Sequence, residues 1–167
     1  MAVMMVVQPC YAKTFNIVVT IGELSMDLMT FDNQNPYENW TFTVPPGGAI
    51  TMTAKHSVMI TLSEHDQNIK IFASAENTNM WTPVEPGQPI GTDQYELIAD
   101  CVLTQPPDDD MPLAMADPTP VTNDSAEPVC IIPQNENNAW LIFSFRAGTN
   151  YSQTDETFGM RVEAVPE

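Results

Sequence analysis

Three consecutive carboxylates, Asp108-Asp109-Asp110, carry the most suggestive chemistry in the chain. Adjacent like charges repel, and a hard cation such as calcium relieves that repulsion while ordering the loop that carries it. Calcium loops usually space their ligands at alternate positions, which this run does not, so a solvated acidic loop is the competing reading. Asp100 precedes the run, and Asp117, Asp124 and Glu127 follow it.

His56 and His65 are the next ligand types, next to Lys55 and to Glu64 and Asp66. They flank a strand-like run at 58–62, so they fall near its opposite ends and share a metal only if the chain bends or a third ligand arrives from elsewhere. The Pro45-Pro46-Gly47-Gly48 turn followed by strands and histidines resembles small copper-binding β-sandwiches. Those take cysteine, histidine and methionine ligands near the chain's end, and no histidine follows Cys130, which excludes copper. No Gly-x-Ser-x-Gly elbow and no phosphate-cradling glycine loop occurs. A cysteine nucleophile would need His56 or His65 brought to it across the fold. The expectation is a protein that is not an enzyme.

Cys10, Cys101 and Cys130 make an odd set. Cys101 ends one strand-like run and Cys130 begins another, so a bond between them would close the intervening segment at its base. Three buried thiols are the equal alternative. Trp40 and Trp140 sit inside strand-like runs and read as core or cross-strand residues, whereas Trp81 sits among polar residues and is the candidate stacking platform for a sugar. The sequons at Asn39, Asn123 and Asn150 matter only in a secretory setting.

The elements that must position these residues read as strands. Alternating or continuous apolar runs occupy 14–21, 23–31, 40–44, 49–54, 58–62, 69–73, 95–102, 129–132, 140–146 and 158–165, and no helix stands out. Residues 40–62, folded around the Pro-Pro-Gly-Gly turn, are expected to form an antiparallel meander. Residues 76–92 are expected to form a long ordered loop. The fold class expected is all-β, an antiparallel β-sandwich with jelly-roll or immunoglobulin-like wiring and long Pro-rich acidic loops. One domain spans 1–167, with an apolar N-terminal arm at 1–12 and an acidic Pro-rich loop at 104–128, whose prolines are expected to keep it out of any ladder.

Five basic residues against twenty-two acidic ones give a net charge of −17. Such a field repels nucleic acid and anionic lipid, so neither is an expected partner, and no run reaches the ~18 apolar residues of a membrane helix. The start of the chain lacks the basic region of a secretion signal. Its apolar residues Met1, Val3, Met4, Met5, Val6 and Val7 are the candidate interface, packed against the chain's own sheet or a neighbouring chain. These features, with eleven methionines suited to adaptable contacts, give the first expectation: a structural virion subunit (capsid decoration, minor capsid or fibre-associated) in a homo-oligomer or capsid shell. A neighbouring subunit would then steady the long loops. The alternative is a secreted or surface module that binds carbohydrate or another ligand, with calcium as a candidate stabilising ion. Over residues 40–54 the chain resembles the sandwich modules appended to secreted bacterial enzymes.

Overall fold

A computed structural model of the chain describes residues 13–19, 26–76, 81–124, 126–150 and 157–167. The arm at 1–12, with its candidate interface residues and Cys10, lies outside the described residues. Strands are β1 (Lys13–Val19), β2 (Met26–Thr30), β3 (Asn39–Phe42), β4 (Ala49–Thr51), β5 (Val58–Leu62) and β6 (Ile69–Glu76). They continue as β7 (Thr82–Val84), β8 (Gln94–Val102), β9 (Thr119–Pro120), β10 (Cys130–Ile132), β11 (Asn138–Ala147) and β12 (Thr157–Pro166). With twelve strands and no α-helix among the described residues, the fold is all-β.

The strands form two sheets. The first runs β10-β6-β12-β1-β3 and the second β2-β5-β11-β8-β7, with β4 also on β11 and β9 also on β8. Pairing is antiparallel except for β1 with β12 and β7 with β8. Buried residues of both sheets belong to one apolar cluster: Phe42 of the first sheet and Phe145 of the second have ring centroids 5.2 Å apart. Because successive strand residues point to opposite faces, Phe145 fixes Leu141 and Phe143 on the inner face of β11, and Trp140, Ile142, Ser144 and Arg146 on its outer face.

Residues 40–62 do not form the expected meander. β3 pairs with β1 in the first sheet, whereas β4 pairs with β11 in the second, so the Pro-Pro-Gly-Gly turn carries the chain from one sheet to the other. Gly47 takes a left-handed backbone (φ 69°) and donates its N–H to Gly148 O at 2.7 Å, while Ala147 donates to Gly48 O at 2.9 Å, pinning the crossing to the end of β11. Gly148 lies so close to Gly91 O that any Cβ there would collide with it. β4 and β5 then run along the same edge of β11, interrupted by a single 3₁₀ turn at Ala54–His56. Alternation reports which face of a strand is buried and carries no information about which strand lies beside it, so a sheet-crossing turn and a hairpin read alike.

Two short strands lie within segments expected to be loops. β7 falls within 76–92 and β9 within 104–128, and both lie along the outer edge of β8. Each contains a proline, Pro83 or Pro120, which an edge position tolerates because the missing N–H can face away from the ladder. The 104–128 segment therefore does enter a ladder, over two residues of β9.

Candidate functional site

The acidic run does not converge on a point. Among the described residues no group of three or more histidines, cysteines or carboxylates is placed to hold a metal ion. Asp109 is taken up in its own turn, accepting the Met111 N–H at 3.1 Å. Asp108 and Asp110 flank a cation that the protein supplies itself, with Lys55 Nζ 3.9 Å from Asp108 Oδ1 and 3.4 Å from Asp110 Oδ2. The groups in this cluster are largely exposed, so its contribution to stability is small. Lys55 relieves the like-charge repulsion that had pointed to calcium at Asp108, Asp109 and Asp110.

The two histidines are likewise separate. His56 Nδ1 lies 2.7 Å from Thr53 Oγ1, and its carbonyl accepts the Tyr37 hydroxyl at 3.2 Å. Burial pushes the Tyr37 phenol above its ordinary range, which keeps it protonated as that donor. An open cleft of about 390 Å³ lies here, lined by Thr30, Asn35, Tyr37, Glu38, Lys55 and His56 among others. His65 spans two turns instead, its ring nitrogens 2.7 Å from Gln67 O and 2.9 Å from Glu136 O.

Trp81 is fully buried in the core cluster, 0% exposed, which removes it as a stacking platform. The reason is β7: three residues of strand on the edge of β8 turn the preceding residue under the sheet, and a large ring there buries more apolar area than any other side chain could. Trp40 also enters the core, its ring 4.4 Å from that of Phe42. Trp140 lies on the outer face of the second sheet, where its indole N–H donates to Phe31 O at 2.9 Å.

Cys101 and Cys130 form a disulfide, with Cα atoms 5.9 Å apart and a sequence separation of 29. Cys101 is in β8 of the second sheet and Cys130 in β10 of the first, so the bond ties the sheets together and closes the 104–128 segment.

Sequence reasoning noted Asp100 only as a neighbour of the acidic run. It is 5% exposed on the outer face of β8, opposite Ile142. Its carboxylate accepts the Cys101 N–H at 2.7 Å, the Ala116 N–H at 2.6 Å and the Asp117 N–H at 3.0 Å. A buried charge is tolerated only when donors replace its water, and here two of the three donors, Ala116 and Asp117, come from the acidic Pro-rich segment itself. Leu113 N donates to Met52 O at 3.1 Å and Ala54 N to Met111 O at 3.3 Å, adding two more ties to the same segment. A carboxylate near the apolar end of β8, between Ala99 and Cys101, was the signal available beforehand. The segment is held across its own second sheet, where the expectation had a neighbouring subunit steadying it.

No protein-family model matches the chain, and no curated protein matches it in sequence.

Proposed function

We propose that this chain is a non-enzymatic structural subunit of a larger protein assembly, a virion component of the decoration, minor capsid or fibre-associated kind. Its two sheets pack as a β-sandwich with jelly-roll wiring. The chain path supports that wiring: β3 to β4, β5 to β6, β6 to β7, β9 to β10, β10 to β11 and β11 to β12 all pass between sheets. Consecutive strands pair only where the short edge strands β7 and β9 meet β8. Immunoglobulin-like wiring keeps several hairpins within one sheet, whereas among the described strands β8 with β9 is the one antiparallel pair of consecutive strands.

The observation that carries the functional reading is the state of the first sheet's outer face. Ile131 and Val165 are each 42% exposed there, and Phe72 is partly exposed. The second sheet's outer face is covered by the chain's own segments, whereas among the described residues nothing covers these apolar side chains of the first sheet, which suits them to contact with another molecule. The disulfide suits an oxidising setting, which includes the outside of a virion. The competing reading, a secreted carbohydrate module, relied on Trp81 and loses its platform with that ring in the core.

Sedimentation of the source material tests the proposal. The chain should co-sediment with large symmetric particles and be released from them only under conditions that dissociate the particle. A chain found wholly in the soluble fraction, apart from any particle, would overturn it.

A further inference from the structure

We propose that the outer face of the first sheet is a self-docking surface, on which a second copy of this chain packs about a two-fold axis. The inference rests on the assembly reading above and names the partner.

The register lines up the residues of this face. Ile131 of β10, Lys70 of β6 and Val165 of β12 stand side by side in one row. Phe72 and Glu163 are partners in the next row, and Ser74 and Arg161 in the one after. The charges among these described side chains balance within the face. Lys70 Nζ lies 3.3 Å from Glu167 Oε1, and Arg161 pairs with Glu163.

That balance selects the partner. Two copies that each carry −17 repel through most of their surface. They can approach closely only through a face whose own charge is near zero, and this face has two cations against two carboxylates among its described side chains. A two-fold contact brings one patch against itself, so it needs both signs and an apolar middle. Lys70 and Arg161 can then face Glu163 and Glu167 of the other copy, around Ile131, Phe72 and Val165. A basic partner would favour the acidic segment instead, and another strongly acidic partner would find no more attraction here than a second copy does.

The size of the face sets the strength. Five strands at ~4.8 Å spacing and eight paired residues along β6 and β12 at ~3.3 Å each give on the order of 500 Å² in projection. A standard interface buries ~800 Å² per partner, so a reversible dimer at micromolar concentration is expected rather than a permanent one.

Analytical ultracentrifugation of the full chain from roughly 1 to 100 μM tests this, using the wild type and three variants. Ile131→Glu with Val165→Glu, and separately Lys70→Glu, should weaken self-association by roughly tenfold or more. Met111→Glu, at a residue 67% exposed on the covering segment, should leave it unchanged. Matching circular dichroism melts confirm that the variants fold. Self-association that ignores the face variants overturns the self-docking face and leaves the assembly reading standing. A wild type that stays monomeric throughout also overturns it, while co-sedimentation with particles decides the assembly reading separately.

Discussion

The two sheets treat their outer faces differently. In β11 of the second sheet every residue from Ala139 to Phe143 is buried, inner and outer positions alike. In β6 of the first sheet burial alternates residue by residue, with Ile69, Ile71, Ala73 and Ala75 buried and Lys70, Phe72 and Ser74 partly exposed. The difference lies in what the chain lays over each sheet. Asp100, Met52 and Ala54 hold the acidic Pro-rich segment against the second sheet, and the turn at Phe31 caps Trp140 nearby. Among the described residues no such cover lies on the first sheet. Among the described residues one face has completed its burial within the chain, and the other keeps its apolar side chains partly exposed.

The largest test of that contrast removes the closure of the covering segment. Replacing Cys101 and Cys130 together with serine should lower stability by ~3–4 kcal/mol, from the loop-closure entropy returned to the unfolded chain. Urea melts read the loss directly. If the midpoint hardly moves, the segment is held by its other ties alone.

Next in size is a matched pair of truncations. Ile142→Ala, on the covered face, should cost ~2–4 kcal/mol because it opens a cavity beneath the segment. Ile131→Ala, on the open face, should stay within ~0.5 kcal/mol in the monomer. Equal costs at the two positions would erase the distinction between the faces.

Asp100→Ala sharpens the comparison further. It strands the N–H groups of Ala116 and Asp117, and a loss of ~2 kcal/mol is expected. Those two amides should exchange with deuterium faster while the amides of β6 keep their protection. Uniform acceleration across both sheets would mean that Asp100 supports the whole fold and not the cover alone.

The smallest effect belongs to the first sheet. Glu167 accepts from Asn68 Nδ2 at 2.8 Å and pairs with Lys70, which together hold its carboxyl below the ordinary value of 4.5. A depressed folded-state pKa contributes stability at pH above 4.5, and that contribution disappears as pH falls through the folded value. The group is exposed, so the effect should be slight. Comparing acid melts of the wild type and Glu167→Gln should show a difference that narrows as the pH drops below 4.5. A constant difference down to strong acid would mean that the pairing contributes nothing.

Much of the element inventory was legible beforehand. Runs such as 69–73, 140–146 and 158–165 became β6, β11 and β12, because period-two or continuous burial is written directly into residue type. The nearly continuous apolar run at 140–146 became β11, which lies between β5 and β8 inside its sheet. β7 and β9 were missed, since two or three residues with a proline among them give no periodicity to read. Trp81 was misplaced for the same reason: the short strand after it decides its burial. Nor could the run Asp108 to Asp110 show that Lys55, fifty-odd residues earlier, brings a positive charge to it.

By itself the sequence determined that the chain is β-rich, strongly acidic and patterned to bury one face of most strands, because those properties belong to each residue and its near neighbours. Tertiary structure alone decided that most consecutive strands go to opposite sheets, that Cys101 meets Cys130, that Asp100 gathers the acidic segment, and that among the described residues one sheet is covered and the other is not. Each of these joins residues distant in the chain, and such contacts form only when the whole set of strands can bury a common core.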